Sequence, residues 1–326
     1  MHLDPYIILG SAVVGLLVGM TGAGGGALMT PMLILLFGVT PSSAISSDLV
    51  AAVLMRPLGA IVHMRAGTVN FKLVRWLVTG SVPSAFLGAY LLHALHNSSN
   101  TQTTIEYFLG AALLIGAAAM VLRFVIDTPF GARGRRGGGR RHASITEIDA
   151  RPLPTLIVGV IGGVIVGMTS VGSGSLMVVA LLFLYPMIGA GQLVGTDLTQ
   201  AVPLTLAAAC GALIFGHVEF GVTGSLIIGS VPAVFLGSLL SSSVPDRYVR
   251  PVIAFAIFAS GLKYVQVPTR ALGWVLCGTL LACGAGWLVY GKGWQRLPAA
   301  RTAGAGEAPT GLDEPEEPIE AVRSAG

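Results

Sequence analysis

Charged residues are scarce in this sequence. Asp, Glu, Lys and Arg together make up 10% of the 326 residues, whereas an average soluble domain contains about 25%. Hydrophobic residues make up 53% and lie in long stretches separated by short polar breaks. A soluble fold could not cover a core of this size, so soluble enzymes and soluble binding modules are excluded. The composition is typical of an all-α polytopic membrane protein, whose spanning segments are apolar helices.

The sequence also has few cysteines and no P-loop motif. The three cysteines lie inside apolar segments and have neither metal-ligand spacing nor the pattern of a disulfide framework. The P-loop pattern is absent, which leaves an ion gradient or the substrate's own gradient as the driving force for any transport. A relaxed dinucleotide fingerprint occurs at residues 22–27 with Asp48 beyond it, but an apolar membrane segment precedes it instead of a strand. We therefore predict no cofactor and no metal.

An internal repeat is the strongest signal in the sequence. Residues 15–29 recur as residues 163–177, and the match continues with Asp48 on Asp197 and residues 80–88 on residues 229–237. Two homologous halves follow from this match. The predicted organisation is membrane repeat 1 at 1–127, a basic cytoplasmic loop at 128–152, membrane repeat 2 at 153–267, an extra transmembrane helix at 268–291 and a disordered cytoplasmic tail at 292–326.

Each half contains five apolar segments. The second segment is too short for an ordinary span, so we predict that it forms a Gly-interrupted hairpin with the first. Such a hairpin returns the chain to the side of the membrane where it started. The other three segments each cross the membrane, so each half makes an odd number of crossings and the two halves insert with opposite orientation. The predicted segments are 5–20, 27–38, 43–63, 71–95 and 105–125, then 153–168, 175–188, 192–215, 220–240 and 249–265.

Basic loops give the orientation. Six arginines lie between residues 133 and 151, and we interpret this loop as cytoplasmic by the positive-inside rule instead of as a nucleic-acid-binding arm. With that loop inside, every loop with two or more basic residues falls on the cytoplasmic side. We predict a multi-pass protein of the bacterial inner (cell) membrane, with loop 131–151 and the C-terminal tail cytoplasmic and no nucleic-acid partner.

The glycine-rich breaks between the paired segments are the candidate substrate site. Glycine lets backbone approach a ligand closely, and the next half-helix presents a partly positive N-terminus to a small anion. The alternative is that these glycines only allow tight helix crossing, which we prefer for the small-xxx-small pairs at 15–19 and 163–167. The candidate substrate-binding residues are Gly22, Gly24, Gly25, Gly26, Thr21, Gly172, Ser173, Gly174, Thr169 and Arg56.

Three charged residues lie inside apolar segments. Asp48 and Asp197 are repeat-related and are candidates for proton coupling, because intramembrane carboxylates are costly and usually functional. They can equally act as helix caps, since each lies near the start of a segment. Arg56 either faces an anionic substrate or extends toward the membrane interface. Its counterpart in the second half is the neutral Thr205.

The glycine motifs also resemble those of a known family. Gly-Met-Thr-Gly-Ala-Gly-Gly-Gly at residues 19–26 with Pro31, its second copy, and the stretch at 195–203 resemble the sulfite exporter TauE/SafE family. The resemblance implies an integral membrane protein with duplicated halves, linked to export or uptake of sulfite, sulfonates and other small sulfur-containing anions. It places Gly22, Gly24, Gly25, Gly26, Gly172 and Gly174 on the family motif, from which the second copy departs at Ser173 and Ser175.

The sequence therefore predicts a secondary transporter of a small anion, namely sulfite, an organosulfonate or another sulfur-containing organic anion, working by alternating access. Its expected partners are the anionic substrate and the lipid bilayer, with a homodimer left open. A passive anion channel or a membrane-anchored sensor is the alternative. An intramembrane hydrolase using Ser173 or Ser175 would need a histidine base, and His63 and His217 are predicted near membrane surfaces. We therefore predict no enzymatic activity.

Overall fold

All regular secondary structure in the described residues is α-helical. The computed structural model describes residues 3–21, 25–96, 101–127, 151–174, 176–185, 188, 190–240, 246–268 and 271–279. The helices of the unit Met1–Leu272 are α1 Pro5–Thr21, α2 Gly26–Phe37, α3 Pro41–Arg65, α4 Phe71–His96, α5 Thr101–Asp127, α6 Pro152–Thr169, α7 Leu176–Leu184, α8 Ala190–Phe215, α9 Phe220–Leu240 and α10 Asp246–Tyr264.

Each predicted apolar segment forms a helix close to its predicted bounds. Helix α7 ends at Leu184, although the predicted apolar segment continues to residue 188. Pro186 explains the early end, because the residue before a proline is disfavoured in the helical conformation. The short α2 ends at Gly38, whose φ of 66° is left-handed and whose N–H donates to the Leu33 carbonyl, a common helix-ending geometry.

Six helices in the described part of the chain are long and apolar enough to cross a membrane. They are α3, α4, α5, α6, α8 and α9, while α1, α2 and the last part of α10 are apolar but shorter. Large apolar side chains such as Tyr6, Leu36, Phe71 and Phe183 are exposed on the outside of the helices. This pattern confirms an all-helical polytopic membrane protein, in which lipid covers the outward-facing side chains.

The helices of the two halves pack against each other in matching pairs. Helix α1 packs on α9 of the second half, and its repeat counterpart α6 packs on α4 of the first half. Helix α3 packs on its own counterpart α8, and α5 packs on its counterpart α10. The main contacts are therefore the same when the two halves are exchanged. Each of these four pairs joins a helix of one half to a helix of the other.

Small residues bring the α1–α9 and α4–α6 pairs into close contact. A Cβ atom added at Gly19 of α1 would lie 2.3 Å from the Val234 carbonyl oxygen of α9, and one added at Gly167 of α6 would lie 2.1 Å from the Ala85 carbonyl oxygen of α4. These distances are too short for any side chain. The packing interpretation of the small-xxx-small pairs therefore agrees with the structure.

Several predicted regions lie outside the described residues. The basic loop is described only at its last residues, and the tail at 292–326 is not described. Residues 271–279 are helical and lead into a second unit, Gly273–Gly326. The predicted extra transmembrane helix at 268–291 is therefore described only in part and stays a prediction, as do the domain bounds.

Replacing Gly167 by alanine is expected to separate α4 from α6. The added methyl group would have to displace the Ala85 backbone, and overpacking of this kind costs about 1–3 kcal/mol. The measurement is the melting temperature of the detergent-purified protein, which should fall by several degrees.

The matched control is Gly59→Ala, because a Cβ atom at Gly59 would lie 3.7 Å from the nearest atom of Leu198. This is ordinary van der Waals contact, so we expect an unchanged melting temperature. Equal melting temperatures for the two variants would contradict the close-packing interpretation.

Candidate functional site

The two helix breaks meet inside the helix bundle. Helix α2 begins at Gly26, and a Cβ atom at this position would lie 1.8 Å from the carbonyl oxygen of Ser170, the residue that ends α6. Only glycine allows this approach. The break of the first half is therefore in direct backbone contact with the break of the second half.

Left-handed residues form the second break. Ser170 has a φ of 57° and its N–H donates to the Val166 carbonyl at 2.7 Å, and Gly172 and Gly174 have φ values of 120° and 98°. The chain then enters α7 at Leu176. The N-termini of α2 and α7 both border the breaks, and helix N-termini carry unsatisfied N–H groups and partial positive charge.

Arg56 is the cation of this region. It lies within α3, is 8% exposed, and its Nη1 donates a hydrogen bond to the Ser173 hydroxyl in the second break. Within the described part of the chain, its Nε and Nη2 have no hydrogen-bond partner. The interpretation of Arg56 as an interfacial side chain is therefore wrong, because the side chain is buried and points to the opposite half.

Asp48 is also buried and also joins the two halves. Its Oδ2 accepts hydrogen bonds from Thr30 of α2 at 2.9 Å and from Ser170 at 2.7 Å. Its Oδ1 has no partner among the described residues. Helix α3 begins at Pro41, two turns before Asp48, so the interpretation of Asp48 as a helix cap is wrong.

Asp197 has different partners from its counterpart. Its Oδ1 accepts a hydrogen bond from the Gln200 amide at 3.1 Å, and the Gln200 carbonyl accepts one from the Ser81 hydroxyl of α4 at 3.1 Å. Asp197 is 1% exposed. Because α8 begins at Ala190, the cap interpretation is wrong for this residue as well.

The residues next to the two acids make equivalent contacts. Thr196 accepts a hydrogen bond from the Asn70 backbone N–H at 3.1 Å, and its counterpart Ser47 accepts one from the Glu219 backbone N–H at 3.3 Å. Asn70 and Glu219 are themselves at matching positions before α4 and α9. The backbone around the two acids is therefore symmetric, and the difference between them comes from their side-chain neighbours.

The structure brings together only part of the predicted site. Gly25, Gly26, Gly172, Ser173, Gly174 and Arg56 lie at or beside the meeting breaks. The hydroxyl of Thr169 donates to the Ile165 carbonyl at 2.6 Å, so it stabilises the end of its own helix. Gly22, Gly24 and the side chain of Thr21 lie outside the described residues.

Sequence reasoning missed Thr30 and Ser81. Both are fully buried hydroxyl residues in apolar helices. Thr30 donates to Asp48, and Ser81 donates to Gln200, which in turn contacts Asp197. A polar residue in an otherwise apolar segment was the available signal, but its partner on another helix could not be identified. Thr205, the counterpart of Arg56, donates to the Ala201 carbonyl of its own helix at 2.7 Å, so the cation is present in one half only.

Of the two serines named for the hydrolase alternative, the described one, Ser173, is not paired with a histidine. Ser173 contacts Arg56, whereas His63 lies within hydrogen-bond distance of Thr68, 3.0 Å away, at the end of α3. Ser175 lies outside the described residues. Among the described residues, no group of three or more His, Cys, Asp or Glu side chains is placed to hold a metal ion. The chemistry of the region is that of a buried cation surrounded by hydroxyls and carboxylates.

Known proteins resemble this chain over the whole helix bundle. The chain is 38% identical over 262 residues to "Probable membrane transporter protein YjnA" of Bacillus subtilis (strain 168), an alignment that covers 79% of this chain and 98% of the relative. It is 35% identical over 105 residues to YunE of the same organism, covering 32% of this chain and 37% of the relative. It is 24% identical to YdhB over 66% of this chain and 80% of the relative. YunE and YdhB are also named probable membrane transporter proteins.

No solved structure matches the chain. The family described as Sulfite exporter TauE/SafE matches residues 7–264, a range that includes both breaks, Asp48, Arg56 and Asp197. The sequence resemblance to this family is thereby confirmed. The chain belongs to the sulfite exporter TauE/SafE family.

Proposed function

We propose that this protein is a secondary transporter that moves a small anion across the cytoplasmic membrane by alternating access. Sulfite, an organosulfonate or another sulfur-containing organic anion is the proposed substrate. The family and the names of the relatives support a membrane transporter instead of an enzyme. The anion and the transport mechanism are supported by the geometry around the two helix breaks.

The observation that carries the proposal is the buried guanidinium of Arg56. Its Nε and Nη2 lack partners in the described part of the chain, and an unsatisfied buried charge is strongly unfavourable. An oxyanion beside Arg56 would accept these N–H groups in the bidentate geometry that guanidinium favours. Ser173 and the N-termini of α2 and α7 would supply further donors. A small anion is therefore the ligand that this arrangement binds best.

The interlocking halves support alternating access. Interrupted helices at the contact between two repeats are typical of secondary transporters, in which one repeat or bundle moves against the other around a central site. Here Arg56 of the first half reaches Ser173 of the second, and Ser170 of the second reaches Asp48 of the first. An anion bound between these residues would contact both halves, so their relative motion would change its surroundings. One of the two buried carboxylates, Asp48 or Asp197, is the proposed proton-coupling residue.

We also propose opposite membrane orientations for the halves. The basic loop at 131–151 and the C-terminal tail are cytoplasmic in this arrangement, and the protein lies in the inner membrane. The exchange symmetry of the helix contacts supports two equivalent halves. The distribution of basic residues among the loops supports their orientation. A homodimer is compatible with this arrangement.

Replacing Arg56 by glutamine is expected to weaken anion binding. Charged hydrogen bonds contribute about 1.5–3 kcal/mol each, so loss of even one should raise Kd by a factor of about 10 to 100. The measurement is thermal stabilisation of the purified protein by sulfite, sulfate, sulfonates and carboxylates. Counterflow of the stabilising anion in reconstituted vesicles then tests transport, because a carrier exchanges labelled for unlabelled substrate whereas a channel does not.

The matched control is Thr205→Val at the corresponding position of the second half. The Thr205 hydroxyl donates to carbonyl groups of its own helix, so its removal should leave anion binding unchanged. Equal anion affinity in the Arg56→Gln variant and the unaltered protein would contradict the proposed site. Flux without counterflow would favour the passive channel.

Cysteine labelling tests the opposite orientation of the halves. Ala66 after α3 and His217 after α8 are both exposed and lie on corresponding loops. In a cysteine-free background, a membrane-impermeant maleimide applied to intact cells should label His217→Cys but not Ala66→Cys. Labelling of both variants from the same side would rule out inverted halves.

A further inference from the structure

Three buried charged side chains lie around the helix breaks. In the described part of the chain, the buried Asp, Glu, Lys, Arg and His residues are Asp48, Arg56 and Asp197, with exposures of 0%, 8% and 1%. With all three ionised, the group has a formal charge of −1. Burial in a membrane protein makes each uncompensated charge costly.

An anion that binds beside Arg56 changes this charge. A monoanion would bring the group to −2 unless a positive charge entered with it. No other buried cation is available among the described residues. Protonation of one carboxylate would return the occupied group to −1, the charge of the empty group. Charge balance therefore favours binding of the anion together with a proton.

The hydrogen bonds distinguish the two carboxylates. Asp197 accepts a hydrogen bond from the Gln200 amide, and Ser81 donates to the carbonyl of the same amide, which keeps the amide nitrogen directed at the carboxylate. An amide N–H can only donate, so this contact favours the ionised form of Asp197. Asp197 also interacts electrostatically with Arg56. It is suited to remain the permanent counter-ion of the guanidinium.

Asp48 is arranged to change its protonation state. Both donors to its carboxylate are hydroxyls, from Thr30 and Ser170, and both contact Oδ2. A hydroxyl can rotate and accept a hydrogen bond as well as donate one. Oδ1 has no partner among the described residues, so a proton can be added there without breaking either contact.

Few charged groups face Asp48 from the helices that pack on α3. Arg56 acts on it electrostatically from the same helix. Helix α8 contributes Asp197, and α2, α6 and α9 contain no Asp, Glu, Lys, Arg or His. Helix α5 contains Glu106, which interacts with Tyr264 of α10. The sequence of α5 also contains Arg123 and Asp127, in its last two turns. Among these charged groups, Arg56 is the one that acts electrostatically on Asp48, and an anion bound at Arg56 would add a negative charge near this carboxylate.

We propose that Asp48 takes up one proton for each monoanion that binds at Arg56, so that anion and proton cross the membrane together without net charge. This inference rests on the proposed transport function and adds which acid carries the proton and the stoichiometry of coupling. The proposal also restricts the substrate class to singly charged anions, because a dianion bound together with one proton would leave the occupied group at −2. The proton bound on one side of the membrane returns to water on the other side when the anion leaves.

The test uses the full-length protein in proteoliposomes with methanesulfonate, whose charge stays at −1 across the physiological pH range. At equilibrium, a gradient of one pH unit should concentrate the anion about tenfold on the alkaline side, because one proton moves with each anion. A potassium diffusion potential set with valinomycin should not change this accumulation. Accumulation that follows the potential instead of the pH gradient would overturn the proposal. Sulfate should be accumulated at least tenfold less, and equal accumulation would overturn the charge restriction.

Variants of the two acids test the assignment to Asp48. Asp48→Asn should retain counterflow of methanesulfonate and lose accumulation driven by the pH gradient. Asp197→Asn should still accumulate methanesulfonate in a pH gradient, because Asp48, the residue that takes up the proton, is intact. The reverse pattern would overturn the assignment. The measurements on the unaltered protein decide the coupling independently of whether either variant folds.

Counterflow separates this proposal from the transport proposal. Without counterflow by the unaltered protein under any of the gradients, the carrier function fails, and the coupling fails with it. Counterflow without accumulation in a pH gradient overturns only the coupling by Asp48.

Discussion

A cation inside a membrane protein requires negative charge and hydrogen-bond acceptors around it, and much of this structure is organised by that requirement. Arg56 contacts the second helix break, where Ser173 accepts one of its N–H groups, and Asp197 interacts with it electrostatically. These contacts leave Nε and Nη2 without partners in the described part of the chain. A site that compensates its cation only partly is suited to a ligand that supplies the missing acceptors.

The close packing of the helices holds the breaks together. Glycines at the α1–α9 and α4–α6 contacts allow backbone to touch backbone, and Gly26 lets the first break touch the carbonyl of Ser170. Each half depends on the other for its main contacts. Motion between the halves would therefore be expected to change the helix contacts and the surroundings of Arg56 and Asp48 together. This link between packing and site is the physical basis of the proposed transport cycle.

The two halves are similar in backbone and different in the side chains of the site. Arg56 corresponds to Thr205, and Thr30 corresponds to Val178. Ser170 and Ser173 stand where the first half has glycines. As a result, Asp48 has two hydroxyl donors while Asp197 has an amide donor. Duplication provides two symmetric scaffolds, and these few substitutions create one charged site between them.

The sequence by itself determined the membrane class, the repeat and the helices, because apolar length, glycine breaks and repeated motifs are local properties of the chain. It also singled out Asp48, Asp197 and Arg56, since charges are rare inside apolar segments. The sequence could not assign the roles of these three residues, for two reasons. The predicted segments began too close to the two acids, so it did not show that both acids lie two turns inside their helices. In addition, no local pattern connects Thr30 with Asp48 or Ser81 with Gln200. Only the tertiary structure decided those partners, because Thr30 and Asp48 lie on different helices, 18 positions apart, and Ser81 and Gln200 lie in different halves, 119 positions apart.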